Sequence, residues 1–211
     1  MTLKPGSENR NFSIAFIITI VSALCLMIDS WIVGKNNFFL LVNADLGIEA
    51  DYIFSYITYL GDGAVWVVVA ILFFIYRRNK FPMLIAAILV STLITQVTKK
   101  YLLPAVPRPI AAIADLGSIH TVAGVEVHAA HSFPSGHTAT AFTIYLLACL
   151  LIRNKWIIPI GFMYALLVGY SRVYLAQHFP LDIGGGMLTA VITILVSLFI
   201  QKQWELKKAV H

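Results

Sequence analysis

The segment FSIAFIITIVSALCLMIDSWIV, residues 12–33, carries one charged side chain, Asp29, and that lies near its end. A helix of about 20 predominantly apolar residues is what crossing the hydrocarbon core of a bilayer requires. The run is too long for the apolar core of a secretory leader. No small-residue cleavage site follows it, so it reads as a retained membrane anchor. Working outward, five further runs qualify or come close: 53–76, 81–98, 136–152, 156–175 and 183–200. The expectation is an all-α fold, a six-span transmembrane helical bundle. Its long outer loop would lie between spans three and four, and residues 1–211 would form a single integral membrane domain.

Composition supports this. Hydrophobic residues make up 59% of the chain and charged residues 12%. A soluble domain carries about twice that share of charge. Cys25 and Cys149 both fall inside apolar runs and read as packed thiols rather than a disulfide.

The formal net charge of +5 would suit a nucleic-acid partner, but its distribution excludes that class. Six spans put both termini on one side. That side collects Lys4, Arg10, Arg77, Arg78, Lys80, Arg153, Lys155, Lys202, Lys207 and Lys208, ten of the 15 Lys and Arg. The other side holds Lys35, Lys99, Lys100, Arg108 and Arg172, together with nearly all the acids. The positive-inside rule then makes the termini cytoplasmic.

Chemistry concentrates on the opposite, outer face. KKY (99–101) and VPRP (106–109) border the long loop, PSGH (134–137) opens span four, and SRVYLAQHFPLD (171–182) joins spans five and six. In PSGH the first-turn N–H groups of a helix are unpaired and attract an anion. Ser135 suits the N-cap and can donate a hydroxyl, and Gly136 lets a ligand approach the backbone. Arg108 and Arg172 can fork onto phosphate oxygens, and Lys100 adds a point charge. Asp182 follows His178 by four residues, so on a helix it reaches one ring nitrogen and leaves the other free to attack. A short helix is expected near residues 110–116.

PSGH followed by SR-x5-H-x3-D resembles the type 2 phosphatidic acid phosphatase family of membrane phosphatases. The resemblance covers residues 99–182. The first motif departs from the family's commonest form, Lys, six residues, then Arg-Pro: that spacing before Arg108 lands on Tyr101, while Lys100 leaves seven intervening residues. Lys99 and Lys100 point about 100° apart on a helix, so one of the two enters the site. The resemblance implies His178 as nucleophile, forming a phosphohistidine, and Asp182 as its orienting partner. His137 would protonate the leaving oxygen and then activate water. Lys100, Arg108, Ser135, Gly136 and Arg172 would bind phosphate.

Such a site needs no metal and no cofactor, because cations and a helix start already neutralise the phosphoryl oxygens. The function expected is a metal-independent lipid phosphatase that hydrolyses phosphate or diphosphate monoesters of envelope lipids. Candidate substrates are phosphatidic acid, phosphatidylglycerol phosphate, undecaprenyl diphosphate and lipid A phosphates. The partners are then the lipid substrate and the bilayer, with no nucleic acid. The site would face the periplasmic side of a bacterial inner membrane.

A lipid phosphotransferase using the same histidines is the alternative. A transporter of phosphorylated anions fits less well, because spans one, three, four and six have almost no ionisable residues along their depth. Asp62 in LGDG reads equally as a functional carboxylate or as an interfacial one. GGG at 184–186 reads as close helix packing beside His178. His120, His128, His131 and His211 read as packed or solvated.

Overall fold

The computed structural model describes residues 7–210, with side chains from 10 to 209. Lys4 and His211, both assigned above, lie outside the described residues. The described chain is helical, without strands. Its helices are α1 (Ser7–Ile32), α2 (Lys35–Val42), α3 (Ile48–Ile57), α4 (Val65–Tyr76), α5 (Phe81–Val97), α6 (Pro109–Ala112), α7 (Gly136–Leu151), α8 (Ile157–Tyr174) and α9 (Pro180–Val210).

Four helical stretches are long and apolar enough to cross a membrane: Arg10–Ile32, Arg78–Leu102, Ile157–Tyr174 and Pro180–Ala209. A fifth forms if α3 and α4 count as one bent span. The expected continuous helix over 53–76 is therefore corrected. It begins earlier, at Ile48, passes through a 3-10 turn at Thr58–Gly61 and bends by 51° before α4. Gly61, Asp62 and Gly63 cause the break, since glycine is the weakest ordinary helix former and aspartate competes for backbone donors. Asp62 is extended (ψ 156°), and its Oδ1 accepts from the Ala64 N–H at 2.9 Å. With 16 residues, α7 spans about 24 Å, short of the roughly 30 Å hydrocarbon core.

Helix α9 is the axis of the bundle and packs on α1, α5 and α7. Its most apolar stretch is 61% buried, against 22–33% for the other long helices. The outward faces are as greasy as the core: Ile17, Val21, Leu24 and Ile28 on α1, and Val67, Val68, Ile71 and Leu72 on α4, are exposed. Apolar cover of that extent suits lipid rather than water. Hydroxyls inside the bundle bond back to their own helices, as Thr95 does to Ser91 O (2.8 Å) and Thr189 to Gly185 O (2.9 Å).

The two ends of the bundle differ. At one, Asn11 Nδ2 donates to the carbonyls of Ile152 (3.1 Å) and Arg153 (3.2 Å). Gln201 Nε2 donates to Asn79 O (2.8 Å), and Lys80 pairs with Glu205 (2.8 Å). This end gathers the short basic connections. At the other end residues 103–135 carry only α6 and a 3-10 turn, Leu116–Ser118, so the helix expected near 110–116 is split in two. Asn43 ties that segment down: its Nδ2 donates to His120 O, Val173 O and Tyr174 O, and its Oδ1 accepts from His120 N.

Candidate active site

The turn from α8 to α9 places His178. Helix α8 closes with Gln177 N–H donating to Arg172 O (2.8 Å) and Ala176 N–H to Val173 O (3.0 Å). This is the Schellman pattern, with Ala176 in the left-handed position (φ 54°) that usually takes glycine. A non-glycine residue there costs about 1–2 kcal/mol. The buried surroundings of Ala176 and the bonds on both sides enforce it. The chain then reverses, and His178 N–H also donates to Arg172 O (3.1 Å).

Pro180 opens α9, where its missing N–H is not needed. Asp182, two positions further on, reaches back to the helix start: its Oδ2 accepts from Phe179 N–H (2.9 Å), from His178 Nδ1 (3.3 Å) and from the Ser132 hydroxyl. His178 and Asp182 are both 1% exposed. Nδ1 of His178 is thus engaged and Nε2 is the nitrogen left for chemistry. Burial, and then the positive charges of Arg108, Lys99 and Arg172, hold the His178 pKa well below the usual imidazole value. The ring is therefore neutral, as a nucleophile must be. Phe179 beside it is pinned edge-on by Phe39 of α2, ring centroids 5.5 Å apart.

The start of α7 lies against this turn. Ser135 caps the helix, its Oγ accepting from Thr138 N (3.4 Å) and from the Thr138 hydroxyl (2.9 Å), while its N–H donates to Asp182 O (3.0 Å). Gly186 of α9 makes the approach possible: a Cβ there would stand 2.7 Å from Ser135 O and 2.8 Å from Thr138 Cβ. The GGG stretch is thus a packing device beside His178. Gly136 and His137 follow in the first turn of α7. His137 Nε2 lies 4.0 Å from Asp62 Oδ2, at the break between α3 and α4.

The cations come from three elements. Arg108 is 8% exposed and held on two sides: Nε donates to Ala130 O (2.9 Å), and Nη1 to Gln177 O (3.1 Å) and Gln177 Oε1 (2.8 Å). Burial draws its pKa below the usual guanidinium value, with Asp182 opposing. Arg172 donates from Nη1 to Thr58 Oγ1 (2.6 Å), and its buried Nε has no protein partner.

The lysine assignment needs correction. Lys100 is exposed, whereas Lys99 is half-buried and within electrostatic reach of Arg108, Asp182 and Arg172. Lys99 follows Thr95 by four residues, and Thr95 is the side chain nearest Gly136. A π-helical turn, Thr98–Leu102, closes there with Leu103 N–H donating to Thr98 O (2.7 Å). His131 Nδ1 contacts Lys99 O at 3.0 Å. The structure therefore gathers His178, Asp182, His137, Ser135, Gly136, Arg108 and Arg172 with Lys99, and leaves Lys100 outside.

Three holders escaped sequence reading: Ser132 on Asp182, Gln177 on Arg108 and Thr58 on Arg172. Their partners are 50, 69 and 114 residues distant, so no local pattern marks them. Asp45, Asp51 and His120 form a separate cluster with ligand-type atoms within 4.8 Å of one another. It works as a staple: His120 Nε2 meets Asp51 (3.1 Å), which also accepts from the Tyr174 hydroxyl (2.6 Å).

A buried His–Asp pair, a helix N-terminus and converging cations meet at one end of a helical membrane scaffold. Residues 82–205 match the PAP2 superfamily, and the chain belongs to that family. It is 26% identical to an undecaprenyl-diphosphatase of Sulfolobus acidocaldarius over 83% of each chain. It is 36% identical to undecaprenyl-diphosphatase BcrC of Bacillus subtilis, across 51% of this chain and about half (49%) of that one. The crystal structure of Aquifex aeolicus LpxE superposes with a TM-score of 0.66 at 35% identity, covering 76% of this chain and 92% of that chain. A Bacillus subtilis PAP2 type phosphatidylglycerolphosphate phosphatase shares the fold at a TM-score of 0.60 and 22% identity, over 92% and 96% of the two chains.

Proposed function

We propose that the protein is a membrane lipid phosphatase that hydrolyses phosphate or diphosphate monoesters through a phosphohistidine on His178. The observation that carries this reading is the buried His178–Asp182 pair among cations at the start of α7 and α9. His178 Nε2 attacks the terminal phosphorus, and its P–O bond to the leaving group, the lipid alcohol of a monophosphate or the lipid monophosphate of a diphosphate, breaks. His137 gives its proton to the leaving oxygen, then takes one from the water that attacks the phosphohistidine. Lys99, Arg108, Arg172 and the first N–H groups of α7 hold the phosphoryl oxygens. No step calls for a metal, so turnover should survive excess EDTA. Vanadate should inhibit by mimicking the five-coordinate transition state.

Relatives named as undecaprenyl-diphosphatases make a polyprenyl diphosphate the first substrate to try. Purified protein in micelles would be offered undecaprenyl diphosphate, lipid A, phosphatidylglycerol phosphate and phosphatidic acid, and phosphate release measured. Release from at least one is expected. Release from none, or transfer to a lipid acceptor without free phosphate, would contradict hydrolysis. The charge asymmetry supports termini in the cytoplasm and a site on the extracytoplasmic face of a bacterial inner membrane, a six-span reading that counts the bent α3–α4 pair and the short α7 as one span each. In a version lacking Cys25 and Cys149, a cysteine at Ser118 should react with an impermeant maleimide in intact cells and one at Asn79 should not. The reverse pattern would overturn the orientation.

A further inference from the structure

Residues 58–64, the break between α3 and α4, lie outside the stretch that matches the family and belong to none of the three motifs. They nevertheless touch the site twice. Thr58 Oγ1 accepts a hydrogen bond from Arg172 Nη1 at 2.6 Å, and Asp62 Oδ2 stands 4.0 Å from His137 Nε2. Gly61 brings the turn in: a Cβ there would lie 3.0 Å from both Cβ and O of His137. The other Asp62 oxygen accepts from Ala64 N–H (2.9 Å), which fixes the carboxylate toward the ring. Burial and then the cations around it, Arg172 from α8, Lys99 from the π-helical turn and Arg108 from the loop, disfavour a proton on His137; Asp62 is the carboxylate that favours it.

We propose that this helix break is a positioning element for the reaction. Asp62 orients His137 and favours a proton on its ring, so that one is available when the leaving oxygen departs. Thr58 locks one end of Arg172, so that its unpartnered Nε is the donor presented to the phosphoryl group. Asp62 gains and loses no proton: the proton passes from His137 to the leaving oxygen as the P–O bond breaks and the N–P bond to His178 forms. The inference rests on the phosphohistidine reading above.

Two paired comparisons test it. In single-turnover release, Asp62→Asn should lower the rate for an alkyl phosphate relative to a nitrophenyl phosphate by about tenfold, part of the 10²–10⁴-fold available to a general acid. Asp62→Glu, which keeps the charge, should restore most of that ratio. An unchanged ratio in Asp62→Asn, whether from no loss or from equal losses, overturns the role of Asp62. Thr58→Val should weaken vanadate binding about tenfold, the worth of a hydrogen bond to a charged group, while Thr58→Ser keeps it. Equal vanadate affinity in Thr58→Val and the wild type, or equal weakening in both variants, overturns the role of Thr58. Wild-type protein that binds vanadate but releases no phosphate would instead count against hydrolysis, and the Thr58 comparison would still decide the inference.

Discussion

Both ends of this bundle carry cations, and they handle them in opposite ways. At one end Arg77, Arg78, Arg153, Lys155 and Lys202 are exposed, and the Lys80–Glu205 pair is half-exposed. Arg78 and Lys208 lie over Phe74 and Trp204, at 4.4 and 4.3 Å from the ring centroids. Such charges stay hydrated and contribute little to the fold, but they bias which side of a membrane that end occupies. At the other end Arg108 is nearly inaccessible, Arg172 has a buried orphan nitrogen, and the neutral His178 sits among them. Burying a charge without full pairing is costly, and under the proposed reading a phosphoryl ligand completes these groups. Burial, not count, separates the two sets of cations, and under the proposed reading only the buried set does chemistry.

That contrast breaks most visibly at His178. His178→Ala should abolish turnover of every substrate, because no other group forms the covalent bond. His137→Ala should slow alcohol release from an alkyl phosphate by about 10²–10⁴-fold and phenol release from an aryl phosphate far less. An alkoxide needs the proton and a nitrophenolate does not. Equal losses would make His137 a phosphate ligand. Smaller again is the Lys99 effect: Lys99→Ala should cost about 10²-fold in kcat/KM, on the scale of one transition-state donor, while Lys100→Ala stays within about twofold. The reverse order would restore Lys100 to the site.

The same buried histidine has a smaller signature in stability. Unfolded, His178 takes a proton near pH 6.5, whereas the folded chain takes it only well below that. Between those two values the unfolded state binds more protons, so stability falls as pH drops below about 6.5, by at most about 1.4 kcal/mol per pH unit. Denaturation in detergent should show this slope, and His178→Asn should flatten it. An unchanged slope in the variant would assign it to other groups. The smallest effect belongs to the opposite end: Glu205→Gln should change stability by less than about 1 kcal/mol and leave phosphate release unaltered.

Much of this was legible in the sequence because apolar length and motif spacing are local signals. The runs around 12–33, 81–98, 156–175 and 183–200 became helices, and PSGH and SRVYLAQHFPLD carried Ser135, His137, His178 and Asp182, which the fold brings together. Where phase mattered, local reading failed. The run 53–76 looks continuous by hydropathy, yet Gly61, Asp62 and Gly63 interrupt it, and the interruption is what faces His137. Choosing between Lys99 and Lys100 required knowing that Lys99 shares the buried face of Thr95, beside Gly136. Ser132, Gln177 and Thr58 are ordinary polar residues until the fold delivers their distant partners.

The central claim is the covalent bond at His178, and trapping it is the most direct measurement. Purified protein would be mixed with a radiolabelled lipid phosphate, quenched in alkali within the first turnover, digested and mapped by mass spectrometry. The account predicts an acid-labile, alkali-stable phosphoryl group on His178. The label should vanish in His178→Ala. Phosphoryl label on any other side chain, or phosphate release that persists in His178→Ala, would contradict it.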